Sequence, residues 1–419
     1  MHNFKKTIAL ALCIFCMLTS VAVLAEEEQP IVLPAGEAAH TEGKGVSPIC
    51  RNGKTEYDAE NGLIVCLPDK GEVTFTLPDG VHGTFDMYLN VSKYVIQFSS
   101  QPFTFRINGG ETFSAPVDCM APANDIESYP EGSEAYNVGS AYDQGRFLIR
   151  SKVELKAGDT VTVIATYGSK GTKLRTKAYP AVGNLELYPA GSLVGVGYDH
   201  RILRSDETDA NDPLSGKTIL WLGSSVTYGM YSAGHYTMAD AIQDGHKGTI
   251  CEKYAISGTT LANQSPDSYV ARLKLIPTDK HADLVVVQLS TNDASRNMPF
   301  GDITESFDSS SFDETTITGA METIIAWVKE YLDCPVVFYT GTYFENENYG
   351  NMVDLLMRIQ EKWHIGVVDL YNNEDMNAIY GTEQYYEYMA NDGIHPYRKG
   401  YVEWWTPVFE ETLSELLKP

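Results

Sequence analysis

The chain has 419 residues, with 31 Lys and Arg against 56 Asp and Glu and a formal net charge of −25 at pH 7. So acidic a chain repels phosphate backbones and anionic lipid, which argues against nucleic acid and membrane surfaces as partners. At about 150 residues per domain, the length admits two domains or one large, embellished one, either able to bury a full core.

Residues 1–25 carry Lys5 and Lys6, an apolar run from Ile8 to Leu18, and Val23-Leu24-Ala25 ahead of an acidic stretch. This pattern predicts a secretory signal peptide cleaved after Ala25, and so a secreted, extracellular protein with no membrane segment after cleavage. Cys13 and Cys16 lie inside the apolar run and read as part of it. Residues 26–48 are polar and aperiodic, and are expected to form a flexible leader that buries too little apolar surface to offset its ordering entropy.

Residues 49–205 read as an all-β sandwich or jelly-roll-like domain. Val73, Phe75 and Leu77 alternate with polar residues, as do Phe85, Met87, Leu89 and Val91, then Phe103, Phe105 and Ile107, then Val161 and Val163. That is the period of half-buried strands. Pro78-Asp79-Gly80, Asn108-Gly109-Gly110 and Gly158-Asp159 supply turns between them.

Residues 212–419 change period. Thr218–Leu222, Leu284–Leu289, Val336–Tyr339 and Val367–Leu370 are short apolar runs of the kind buried on both faces of a parallel sheet. Between them, Ile317, Met321, Ile324, Val328 and Leu332 share one helix face, and Val353, Leu356, Ile359 and Trp363 another, while residues 401–417 form a last helix. Alternating strand and helix predicts an open three-layer α/β sheet, whose ligands bind at the carboxyl ends of the strands. Outside the signal the cysteines are Cys50, Cys66, Cys119, Cys251 and Cys334. Their number is odd and their spacing is not that of a metal site, so at most two bridges form, with Cys50–Cys66 the favoured pair.

Three strand ends carry small polar residues: Gly223-Ser224-Ser225 after the first, Ser257-Gly258-Thr259 after the second, Ser290-Thr291-Asn292-Asp293 after the third. Each alone reads as a turn or a helix cap. Near the C-terminus, Asp392-Gly393-Ile394-His395-Pro396 puts a carboxylate three residues before an imidazole. A serine hydroxyl needs a base, and that base needs an acceptor on its other nitrogen. His235, His246, His281 and His364 lack an acid in this arrangement, although Asp240, Asp244, Asp279 and Asp283 keep them open as rivals.

Taken in order, Gly-x-Ser, Ser-Gly, Asn-Asp and Asp-x-x-His make the chain resemble the SGNH/GDSL hydrolase family over roughly residues 217–417. The resemblance implies a flavodoxin-like three-layer fold and a serine esterase. It makes Ser225 the nucleophile, His395 the general base and then acid, Asp392 its orienting carboxylate, and the N–H groups of Ser225 and Gly258 with the Asn292 amide the oxyanion hole. Ser224 and Ser290 depart from the family's usual Asp and Gly. Export, the attached sandwich and the aromatics Tyr228, Tyr231, Tyr236 and Tyr343, which are expected to be exposed, lean toward acetylated oligo- or polysaccharide, xylan among them, as the substrate partner. Alternatives are a carbohydrate-binding protein with an inert hydrolase half and a lipid or short-chain carboxylesterase. No cofactor or metal is expected, and Asp302, Glu305 and Asp308 read as a solvated acidic loop rather than a calcium site.

Overall fold

A computed structural model describes residues 29–43, 54–65, 67–92, 103–117, 144–166, 181–192, 194–197, 202–204, 207–232 and 235–418. The predicted signal peptide and the Cys50–Cys66 and Cys119 positions lie outside these residues; Cys251 and Cys334 are free thiols.

Period-two alternation in the first half produces antiparallel strands, with their apolar sides turned inward. In chain order these are β1 (Ile31–Leu33), β2 (Ala39–His40), β3 (Glu56–Asp58), β4 (Leu63–Val65), β5 (Glu72–Thr76), β6 (His82–Ser92) and β7 (Phe103–Ile107). They continue with β8 (Phe113–Ser114), β9 (Gln144–Lys156), β10 (Thr160–Ala165) and β11 (Val182–Pro189). One sheet runs β3-β4-β11-β6-β9 with β1 also on β11, and the other β2-β5-β10-β7-β8. Phe75, Phe105, Val161 and Val163 of the second sheet meet Met87, Leu89, Leu185 and Leu187 of the first in one core.

The flexible leader is a misreading that the structure corrects. Ile31–Leu33 pairs antiparallel with β11, Ala39–His40 pairs with β5, and Leu33 and Ala35 are buried in the sandwich core. Segments of two or three residues are too short to display a period, and their order comes from long-range pairing with a preformed edge.

The outer face of β6 is also covered. Tyr88 packs with Leu148, Tyr188 and Val194, the last on the hairpin of β12 (Val194–Val196) and β13 (Ile202–Arg204). Beneath it, the Glu186 carboxylate accepts from Asn90 at 2.5 Å and from Arg146 at 2.7 Å.

In the second half, the apolar runs form five parallel strands: β14 (Thr218–Gly223), β15 (Ile250–Ala255), β16 (Leu284–Gln288), β17 (Val336–Tyr339) and β18 (Gly366–Val368), in the order β15-β14-β16-β17-β18. Leu220, Leu222, Val285 and Val287 face the helices Tyr269–Leu273, Ile317–Trp327 and Glu347–Trp363. Ile219, Trp221, Val286 and Val337 face the helices Met238–Gly245 and Thr406–Leu417. These are the three predicted layers. With β14 first in sequence, the order reverses between β14 and β16, and a crevice opens at such a switch point beyond the carboxyl ends.

The two halves touch where the Ser114 N–H donates to the Leu275 carbonyl at 3.0 Å and Arg150 reaches both Asp279 carboxylate oxygens at 2.9 Å. Both contacts fall on the segment entering β16 at Leu284, at the end of the sheet opposite the crevice. Among the described residues no helix is long and apolar enough to cross a membrane.

Candidate active site

Strand β14 ends at Gly223, and the chain turns at once into a one-turn helix, Ser225–Tyr228. The turn is tight enough that a Cβ on Gly223 would stand 1.7 Å from Thr227 Oγ1, so only glycine fits. Gln288, the last residue of β16, braces the turn. Its Oε1 accepts from the Ser224 N–H at 2.9 Å, the Thr227 N–H at 3.2 Å and the Thr227 hydroxyl at 2.9 Å. From the other side, the Tyr401 hydroxyl donates to the Val226 carbonyl at 2.6 Å, tying the C-terminal segment to the same turn. Ser225 is thereby fixed at the carboxyl end of β14, with its residue 5% exposed.

The loop that follows Tyr388 brings the acid and the imidazole. A bridge between Met389 and Pro396, with the Ala390 N–H on the His395 carbonyl at 2.9 Å, closes it into a narrow hairpin. Within it, Asp392 Oδ1 accepts from the N–H groups of Ile394 at 2.9 Å and His395 at 3.1 Å, while Oδ2 lies 2.6 Å from His395 Nδ1. His395 Nε2 is 2.7 Å from Ser225 Oγ. Burial acting alone would raise the Asp392 pKa. The hydrogen bond and charge of His395, with the two backbone donors, outweigh it and hold the carboxyl below its usual range. Asp392 Oδ2 thus fixes the imidazole through Nδ1 and leaves Nε2 facing the hydroxyl.

The predicted oxyanion donors come from the neighbouring strand ends. Gly258 follows β15 with φ of +78°, a left-handed conformation that favours glycine. Asn292 follows β16, and its amide donates to the Thr259 carbonyl at 3.0 Å, which uses one of its two N–H bonds and leaves the other for a ligand. Asp293 accepts from the Leu261 N–H at 2.7 Å and the Ala262 N–H at 3.0 Å, lacing the loop after β15 to the one after β16. The two departures have local roles: Ser290 caps the Thr291–Ser295 helix by accepting from the Asp293 N–H at 3.3 Å, and the Ser224 N–H takes part in the Gln288 brace.

The rival histidines are engaged by other partners. His246 sits between Asp212 at 2.7 Å and Glu410 at 3.2 Å, His281 pairs with Asp283 at 3.3 Å, and His364 is the left-handed cap of the Glu347–Trp363 helix. His235 is buried, with Nδ1 3.1 Å from the Gly229 carbonyl. Tyr228, expected to be exposed, is buried under the turn. Tyr231 instead stands beside the site, its ring centroid 5.2 Å from that of His395. Among the described residues no group of three or more His, Cys, Asp or Glu side chains is placed to hold a metal ion.

Sequence reasoning missed Gln288 and Arg272. Gln288 had a signal, the lone polar residue within the apolar run Leu284–Leu289. Arg272 had none: it lies in the short helix Tyr269–Leu273 and is 3% exposed.

The family model described as GDSL-like lipase/acylhydrolase matches residues 221–402. No curated protein matches the chain. Among solved structures, a family two carbohydrate esterase from Cellvibrio japonicus is 13% identical, with 93% of this chain and 99% of that one covered and a TM-score of 0.34. A carbohydrate esterase family 2 enzyme with a carbohydrate binding domain, from Corynascus thermopiles (Myceliophthora fergusii), is 11% identical, with 90% and 99% covered and a TM-score of 0.36. A possible lipase from Chitinophaga pinensis is 16% identical, with 48% and 98% covered and a TM-score of 0.36.

Proposed function

We propose, from the match of residues 221–402 to the GDSL-like lipase/acylhydrolase family model, that the protein is an exported serine esterase that removes acetyl groups from carbohydrate. The observation that carries the esterase reading is the unbroken contact from Asp392 through His395 to Ser225, at 2.6 and 2.7 Å.

In this reading His395 Nε2 takes the proton of Ser225 Oγ as the oxygen attacks the ester carbonyl. Charge moves to the carbonyl oxygen and is met by the N–H groups of Ser225 and Gly258 and by the free N–H of the Asn292 amide. As the tetrahedral intermediate collapses, the imidazolium returns its proton to the departing alkoxide, freeing the alcohol and leaving an acyl group on Ser225. Water, deprotonated by the same nitrogen, attacks the acyl-enzyme, and the acid departs as Ser225 regains its proton. Asp392 stays ionised throughout and stabilises the imidazolium.

The substrate class rests on what surrounds the triad. A nucleophile only 5% exposed favours a small acyl group. Next to the Asp392 loop lies a run of tyrosine rings, Tyr371, Tyr343, Tyr380, Tyr385 and Tyr386, with successive centroids 5.1 to 5.3 Å apart. The Tyr385 hydroxyl lies 3.4 Å from where a Cβ on Gly393 would stand, while Tyr380 and Tyr386 are 45% and 52% exposed. Aromatic bodies with polar tips beside the loop that carries Asp392 and His395 suit a sugar ring better than an alkyl chain.

The test is a panel of 4-nitrophenyl acetate, butyrate and octanoate together with acetylated xylan. The proposal expects the acetate to be the best of the three small esters and acetic acid to be released from the polysaccharide. Preference for octanoate with no release from xylan would replace it with a lipid-directed reading.

A further inference from the structure

The guanidinium of Arg272 lies behind the candidate site, and its hydrogen bonds go to neutral oxygens, three of them on the β14 and β15 ends that lead into the predicted oxyanion donors. Nη2 donates to the Gly223 carbonyl at 2.8 Å and to the Thr259 hydroxyl at 3.0 Å, Nη1 donates to the Tyr254 carbonyl, and Nε donates to the Asp267 carbonyl at 2.9 Å. The cation also lies over the Tyr269 ring, 5.2 Å from its centroid. Among the described residues no carboxylate stands within ion-pair distance of it, and the nearby Asp267 carboxylate takes the Ser265 hydroxyl instead.

Burying a cation without a counter-ion is costly, by several kcal/mol in general. Here that burial lowers the arginine pKa to about 10, still well above neutrality, so the charge is retained. The partners suggest what offsets the cost. Gly223 is two residues before Ser225, and Thr259 directly follows Gly258. The carbonyl of that same Thr259 holds the Asn292 amide. One side chain therefore touches the support of each of the three predicted oxyanion donors.

We propose that Arg272 is a positioning residue for the oxyanion hole, locking the β14 and β15 strand ends in register and placing a full positive charge behind the point where negative charge develops. This inference rests on the esterase reading. An interaction that strengthens as the oxyanion forms acts on kcat more than on KM.

The experiment measures Ser225-dependent hydrolysis of 4-nitrophenyl acetate by Arg272→Gln and Arg272→Lys, with thermal melts in parallel. The Gln variant, folded at the assay temperature, is expected to lose about 10- to 100-fold in kcat with KM held within about 2-fold, and the Lys variant, which keeps the charge, to recover at least about 5-fold of that loss. If the Gln variant does not fold, Thr259→Val leaves the cation in place and cuts one anchor, with an expected kcat loss of about 3- to 10-fold at constant KM. A folded Gln variant with the parent's kcat, equal losses in the Gln and Lys variants, or an unaffected Thr259→Val overturns the proposal. Absence of any Ser225-dependent turnover in the parent protein would instead overturn the esterase reading.

Discussion

The antiparallel sandwich and the parallel sheet both bury polar side chains, but they place them differently. In the sandwich, Asn90, Arg146 and Glu186 satisfy one another within three neighbouring strands, beneath the β12–β13 hairpin. In the parallel sheet, Ser224, Thr227, Gln288 and Asp293 are buried within a few residues of strand carboxyl ends, and with the buried Arg272 they hold mainly backbone, Gln288 taking the Thr227 hydroxyl as well. Antiparallel strands send their carboxyl ends to both edges of a sheet, whereas parallel strands send them to one. Only the second arrangement brings several turns together at one crevice. Buried polarity in the first region serves stability, and in the second it braces the turn that carries Ser225, the proposed nucleophile.

That contrast predicts different losses from comparable mutations. Asp392→Asn should cost the most activity: roughly 10⁴-fold in kcat, because the amide leaves His395 in the wrong tautomer. Melting should change little, since the Asp392 side chain is 37% exposed. In the parent protein the Asp392 carboxyl is held below its usual range. Its contribution to the fold is therefore complete above the unfolded carboxyl's pKa, about 3.9, and declines as pH falls through the lower folded value. Acid melts of the parent and the Asn variant should therefore differ above that point only by the small margin expected at neutral pH, and converge in stronger acid. Asn292→Ala comes next, with a loss of about 10²- to 10³-fold in kcat at nearly constant KM. An unchanged rate would remove Asn292 from the oxyanion hole. The smallest effect on turnover belongs to Glu186→Ala in the sandwich. It strips Arg146 of its buried partner and should cost about 3 kcal/mol in a denaturant titration, with kcat per folded molecule unchanged. A large kcat effect there would erase the distinction between the two regions.

Much of this was legible in the residues. Short apolar runs such as Leu284–Leu289, interrupted only by Gln288 and alternating with helical segments, read as strands covered on both faces, and the short block Asp392 to His395 put an acid three residues from an imidazole without tertiary knowledge. What was hidden depends on contacts distant in sequence. Ile31–Leu33 takes its order from β11, more than 150 residues later. Tyr228 looked exposed beside a glycine-rich turn, but Thr227 and its neighbours sink under Gln288 and Tyr401. Arg272 in Tyr269–Leu273 has no periodicity or motif to mark it, because its role comes from three carbonyls and a hydroxyl contributed by separate segments.

The claim on which the rest depends is that Ser225 is an activated nucleophile. Treating the folded protein with a fluorophosphonate probe and mapping the modified peptide by mass spectrometry tests it directly. The account predicts one probe per chain, on Ser225, slowed by at least about 10³-fold in Asp392→Asn and absent in Ser225→Ala. A folded parent protein that takes up no probe, or takes it up equally well after Ser225→Ala, would contradict it.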